Sequence, residues 1–233
     1  MSELFDDSIL DFNVPMDADA EFIPLITPEE EETMNNADFP SEIPILPLRN
    51  NVLFPGVVIP ITVGRDKSIK LVLKANKEDK IIGVVAQKNQ DVEEPEFSDV
   101  HTIGTVAQIV RMLKMPDGST TVIIQGKRRF EIIKPTQSEP FMKAEVRFFK
   151  ETKAPKKDKE FKAIIDSMKD LALNIIRDSP NIPTEAQFAI KNIDSPTFLI
   201  NFISSNMNAD VKKKQGLLEE MDLTKRSMDL LQH

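Results

Sequence analysis

Between positions 57 and 63 the chain alternates. Val57, Ile59, Ile61 and Val63 fall on one side of an extended backbone, and Val58, Pro60 and Thr62 on the other, which is the two-residue period of a β-strand. Pro60 cannot donate to a ladder, so this strand is predicted at an edge or a bulge, and Gly64 ends it. Asp66 then opens a short helix, an acid suiting the positive end of the helix dipole; its apolar side is Ile69, Val72 and Leu73. Residues 80–87 (KIIGVVAQ) read as a short buried strand. The clearest hairpin lies at 102–124, where TIGTVAQIVRMLKM and STTVIIQ flank Pro116-Asp117-Gly118. That tripeptide supplies a preset φ, a side-chain acceptor and a residue free to take positive φ. A third run, RFEIIK at 129–134, follows Gly126, and a fourth at 141–149 alternates through Met142, Ala144, Val146 and Phe148. Roughly four to seven strands with one helix predict a small, closed or nearly closed β-barrel.

Beyond a polar hinge at 151–155 (ETKAP) the period changes. Phe161, Ile164, Ile165, Met168, Leu171, Ala172, Ile175 and Ile176 recur at helical spacing. Ser179-Pro180 stops this helix, and Pro183 in a first-turn position starts the next, through Ala189 and Ile190. Ser195-Pro196, a cap followed by proline, opens TFLINFISSNM. Two further helical stretches fall near 209–220 and 222–232, the second capped by Asp222. The fold class is therefore α+β: a β-rich lobe with one helix over 42–151, then an all-α helical bundle lobe over 152–233. There is no repeat of solenoid period.

Charge adds a third part. The first 48 residues carry 13 acidic side chains and no Lys or Arg, while the remainder holds 25 acids against 30 bases. The net charge of −8 thus hides an acidic tail on a mildly basic body. With Pro15, Pro24, Pro28 and Pro40 and no sustained periodicity, residues 1–41 are predicted to be disordered. Leu4, Phe5, Ile9, Leu10 and Phe12, set among acids, have the pattern of segments that fold on binding. The net basic body raises a further expectation: the tail folds back on it and competes with binding partners. Cysteine is absent, which excludes disulfides and thiolate zinc sites. No run of ~18 apolar residues predicts a transmembrane helix, and the N-terminus lacks the basic region and cleavage pattern of a secretory signal. A cytoplasmic location without membrane contact is expected.

The motifs of common catalysts are missing. Around Gly126-Lys127 a phosphate-binding loop would need Ser or Thr where Arg128 stands and Gly where Thr121 stands. There is no GxSxG elbow and no His-Glu metal helix. Of the two histidines, His233 is the last residue, and His101 sits at a strand entry as a structural side chain. Adjacent acids such as Glu78 and Asp79 fall in a polar loop, without the desolvation that shifts a catalytic pKa. No catalytic residue, cofactor site or metal site is expected here. Basic clusters at Lys127-Arg128-Arg129, Lys156-Lys157 with Lys159, and Lys212-Lys213-Lys214 raise nucleic acid as a partner. With no Trp or Tyr, stacking would rest on Phe alone, and solvated faces are the simpler reading.

One run is distinctive: IPILPLRNNVLFPGVVIPITVGR at 43–65. Physically it is a strand, a Pro-Leu-Arg-Asn bend, an apolar loop and a second strand, with Phe54-Pro55-Gly56 as a rigid turn that tucks an aromatic inward. It resembles the start of the N-terminal domain of the Lon family of ATP-dependent proteases. IGTVAQIVRMLKMPDGSTTVIIQGKRRFEI at 103–132 is similar to that family's second signature region, and SPNIPTEAQFAIKNIDSPTFLINFISSNMN with KQGLLEEMDLTKRSMDLL looks like the helical bundle that follows. The resemblance covers roughly 43–232 and leaves the acidic tail outside. It implies a barrel akin to PUA-like barrels followed by a helical lobe. It also implies a role: selecting damaged or degron-bearing proteins and supporting a hexamer, ahead of an ATPase that unfolds the substrate using ATP and Mg and a serine–lysine dyad that cleaves it. Neither the ATPase nor the protease module is in this sequence, so the chain is expected to be part of a longer polypeptide. The alternative is a free-standing PUA-like module for nucleic acid or a small ligand.

A selector of unfolded proteins needs accessible apolar surface, and methionine gives adaptable contacts. Met112, Leu113, Met115 and Pro116 at the hairpin end are the first candidates. Arg65, Asp66, Lys67 and Lys70 at the start of the barrel helix are the second, with Asp66–Lys70 and Lys67–Lys70 spaced to share a face.

Overall fold

The computed structural model describes residues 26–115, 119–151, 154–155, 158–178 and 184–233. Its elements are α1 (Pro28–Asn36), β1 (Glu42–Leu48), β2 (Val58–Val63), α2 (Asp66–Lys77), β3 (Ile81–Ala86), β4 (Ile103–Lys114), β5 (Thr120–Gln137), β6 (Lys143–Phe148), α3 (Lys159–Asp178), α4 (Thr184–Asn192), α5 (Pro196–Asn206), α6 (Val211–Glu219) and α7 (Leu223–Leu231), with a short 3-10 turn at Phe97–Asp99. The fold is α+β: six strands in one sheet, then five helices.

The sheet runs β2-β5-β4-β3-β1-β6, and β6 also pairs with β5, so the ladder returns to β5. All neighbours are antiparallel except β1 and β3, which run parallel with Ile45 opposite Gly83. Pro60 lies in β2, which pairs only with β5, as its missing donor requires. Five strands of this circuit send side chains into one small core: Ile43 and Ile45 from β1, Val85 from β3, Val106 from β4, Phe130 from β5, and Ala144 and Val146 from β6.

One expectation about a local break is corrected. The run at 129–134 is no separate strand, because β5 continues through Gly126 to Gln137. Gly126 is there for proximity: a Cβ at this position would lie 2.3 Å from the Phe54 carbonyl oxygen. Its N–H donates to Val57 O, and its carbonyl accepts from Gly56 N–H, each at 2.9 Å. The Phe54-Pro55-Gly56 turn forms as read, with Phe54 fully buried and Gly56 at φ +82°. The Pro116-Asp117-Gly118 turn lies outside the described residues, as do Ser179-Pro180 and Pro183.

The predicted disordered tail is also corrected over part of its length. Residues 1–25 lie outside the described residues, but 28–36 form α1. Thr27 caps it, accepting from Glu30 N–H while the Glu30 carboxylate accepts from Thr27 N–H, and Pro28 occupies the first turn. Three glutamates in that turn suit the dipole. Composition pointed to a solvated segment; capping chemistry and the burial of Ile26 override it.

The helical lobe follows its capping signals. Ser195 accepts from Phe198 N–H at the start of α5, Asp210 from Lys213 N–H at α6, and Asp222 from Lys225 N–H at α7. Its apolar faces merge with the larger β-side core, in which Phe54, Ile59 and Ile124 belong to one cluster with Phe161, Phe198 and Leu218. No described helix is long and apolar enough to cross a membrane.

Candidate functional site: an apolar hairpin edge and a buried interlobe tie

The β4–β5 hairpin carries the first candidate group. A register shift between Ile109 and Arg111 makes Val110 the extra residue of a bulge, and Val110 stands 55% exposed. Met115 is 44% exposed, and its N–H donates to Ser119 O at 2.9 Å across the hairpin. Met112, opposite Val122, is half-buried and packs on the edge of the larger core, while Leu113, opposite Thr121, is half-buried. Pro116 lies outside the described residues. Exposure along the described part of this end is graded, from half-buried Met112 and Leu113 to exposed Met115. The sequence reading missed Val110, since strict alternation does not reveal a bulge.

The second group is partly engaged within the chain. Arg65 Nη2 donates to Gln87 Oε1 at 2.5 Å, and Lys67 Nζ reaches Glu139 Oε1 at 2.5 Å. Asp66 and Lys70 are exposed. Burial, then the neighbouring Arg49, lowers the Arg65 pKa; the hydrogen bond to Glu139 raises that of Lys67. The two groups are held by different elements: the hairpin residues by the β4–β5 ladder, Arg65 by Gln87 just past β3, and Lys67 by Glu139 in the β5–β6 connection.

The basic run 127–129 is neither a free phosphate grip nor a solvated face. Arg129, 1% exposed, donates through Nε and Nη2 to the two carboxylate oxygens of Glu151 at 2.7 and 2.6 Å, and through Nη1 to Leu218 O and Glu220 O at 2.8 and 3.0 Å. The expected hinge thus begins with a buried anchor, because Glu151 neutralises a cation that would otherwise lie bare in the interior. The Arg128 guanidinium sits 5.4 Å from the Phe39 ring centroid and 4.9 Å from that of Phe148, and its Nη1 donates to Asn35 O at 2.6 Å. Lys127 donates to Gln125 Oε1 at 2.6 Å. Buried beside the Arg129–Glu151 pair, Arg226 has Nε and Nη1 without hydrogen-bond partners. Burial and then Arg129 push its pKa down to about 10, opposed by Glu151, Glu220 and Glu31. Nearby, Gln215 Nε2 donates to Ile103 O at 3.0 Å, and His101 Nδ1 lies 3.6 Å from Glu219 Oε1. Burial lowers the His101 pKa, and Glu219 opposes this. This cluster ties β5 and β4 to α6 and its C-terminal end. Among the described residues no group of three or more His, Asp or Glu side chains is placed to hold a metal.

The exposed apolar residues Val110 and Met115 lie on the β4–β5 hairpin, and β5 is tied to the end of α6 through Arg129. Residues 42–233 match the family described as the ATP-dependent protease La (LON) substrate-binding domain, and the chain belongs to that family. It is 59% identical over 217 residues to the Lon protease of Flavobacterium johnsoniae, covering 93% of this chain and 27% of that one. It is 56% identical over 212 residues to the Lon protease of Cytophaga hutchinsonii, covering 91% and 26%. The chain thus spans about a quarter of the length of these relatives. In fold it is similar to the N-terminal domain of the Mycobacterium avium complex Lon protease, with a TM-score of 0.67 at 22% identity over 82% of this chain and 96% of that one. The family match begins after α1.

Proposed function

We propose that this chain is the substrate-recognition and assembly region of an ATP-dependent Lon-type serine protease, selecting misfolded and short-lived, degron-bearing proteins in the cytoplasm. Non-catalytic itself, it works ahead of ATPase and protease modules that use ATP and Mg, in a parent that is a homohexamer. The β-rich lobe over 42–151 is a small PUA-like barrel, a reading supported by the β5–β6 pairing that returns the ladder to β5 and by the core its five strands enclose. The helical lobe over 152–233 backs it through Arg129.

The observation that carries the recognition role is the hairpin edge. Val110 and Met115 are exposed, with Met112 and Leu113 half-buried beside them. Unfolded clients offer apolar segments that native proteins hide, and a shallow, methionine-rich edge meets many of them weakly. Pro116, which lies outside the described residues, is assigned to the same contact from its sequence position, and Arg65, Asp66, Lys67 and Lys70, of which Asp66 and Lys70 are exposed, form a polar secondary contact. A photo-crosslinking residue placed at 115 or at 70 of the full chain, with reduced carboxymethylated α-lactalbumin as a permanently unfolded client, tests this. Strong adducts from 115 and weaker ones from 70 are expected. Adducts from neither position overturn the reading.

A further inference from the structure

The cleft between the lobes is already filled, and its occupant is α1. Ile26, one residue before the cap, is 5% exposed and seats against Gly56 and Phe198; a Cβ added to Gly56 would lie 2.9 Å from Ile26 Cδ1 and 2.8 Å from Phe198 Cδ2. Two turns on, Met34 packs on the same core. Glu31 accepts a hydrogen bond from Ser195 Oγ at the cap of α5, and Arg128 takes the Asn35 carbonyl near the far end. The cleft thus reads an apolar residue before the helix, a carboxylate one turn in, and a carbonyl at its end. Asn201, 3% exposed, lines the same cleft; its Nδ2 donates to Pro55 O at 3.0 Å and its Oδ1 has no partner. The surroundings carry cations where α1 is anionic: Lys127 lies near Glu30, Arg226 near Glu31, and Arg128 at Asn35, against a helix with four glutamates and no basic residue, while Glu151, which also lines the cleft, is engaged by Arg129.

We propose that this interlobe cleft is a docking site for a short acidic helix of a protein client, and that α1 fills it in cis as a displaceable stand-in. The inference rests on the client-binding reading above and adds a second contact to the hairpin edge. A helix of nine residues has little stability in water on its own. Order in α1 is therefore coupled to its seat, and a displaced α1 unfolds. A client helix that enters must bring its own apolar anchor and carboxylate, so acidic amphipathic segments are favoured over basic ones. The contact weakens with salt in proportion to its exposed charge.

The test uses the full chain, a labelled peptide of residues 24–38, and reduced carboxymethylated α-lactalbumin. In the unaltered protein, the α1 amides from Glu30 to Asn36 are expected to be protected from hydrogen exchange and to lose protection at least tenfold when the client saturates it. The Ile26→Asp chain, with α1 unseated, is expected to bind the peptide at least tenfold more tightly than the unaltered chain. The peptide is then expected to displace the client from it. A client that binds while 30–36 keeps its protection overturns the stand-in and leaves the hairpin reading intact. A client that does not bind at all overturns both. The exchange measurement on the unaltered protein decides the matter even where Ile26→Asp unfolds the chain.

Discussion

Arg129 and Glu151 meet as a bidentate ion pair that is all but sealed from solvent, their side chains 2% and 6% exposed. The same guanidinium holds the Leu218 and Glu220 carbonyls, so β5, the segment after β6 and the end of α6 share one group. Removing one partner of such a pair leaves a bare buried charge, a loss of about 3–5 kcal/mol. Glu151→Ala is expected to lower the unfolding free energy by that order in a urea titration. Glu131→Ala is the contrast: its pair with Arg147 is largely solvated and worth about 0–1 kcal/mol. Equal losses for the two variants contradict the account.

Arg226 makes the opposite case. It is buried, lies beside a second arginine, and leaves two nitrogens unpartnered. Unsatisfied buried donors cost about 1–3 kcal/mol. Arg226→Met, which keeps the packing stem, is expected to melt at or above the temperature of the unaltered protein. A clear drop contradicts a net cost from the two unpartnered nitrogens.

Gly126 and Gly64 separate crowding from mere glycine content. A methyl at 126 meets backbone at 2.3 Å, whereas nothing lies within 4 Å of one at 64. Gly126→Ala is expected to cost at least ~1–3 kcal/mol, the range for overpacking; Gly64→Ala is expected to be nearly neutral. Thermal melts of both variants check the pair.

These residues show what was legible in the sequence. Periodicity placed β2, α2, β3 and α3, because a two- or 3.6-residue period is a local signal. The Phe54-Pro55-Gly56 turn and the Ser195 and Asp222 caps were equally local. Gly126 read as a break because the atom that demands it, Phe54 O, lies 72 positions earlier in the sequence. Arg129 read as surface because its acceptors at Leu218 and Glu220 come 89 and 91 residues later. The helix α1 is a different miss: Thr27-Pro28-Glu29-Glu30 carries a capping-box pattern, and the acidity of the segment outweighed it. At the hairpin, Met112, Leu113 and Met115 were singled out from residue type alone, while the exposure of Val110 follows from the bulge.

His101 gives the fold a pH dependence. Burial holds its folded pKa below the ordinary value near 6.5. As pH falls through that value, the unfolded chain takes up the proton first, so stability is lost below about pH 6.5 until the folded pKa is also passed. Urea midpoints measured from pH 7.5 down to 5.5 are expected to fall less steeply for His101→Gln than for the unaltered protein. Parallel slopes contradict a half-buried imidazole held neutral by partial burial.

The central claim is that the hairpin edge grips unfolded protein. The most direct measurement is the affinity of the Met112→Asp/Met115→Asp double variant for fluorescently labelled, reduced carboxymethylated α-lactalbumin, followed by anisotropy. Circular dichroism must first match the unaltered chain. The account predicts binding weakened at least tenfold, with the Asp66→Ala/Lys70→Ala variant changed by less than threefold. Unaltered affinity in the folded methionine double variant contradicts it.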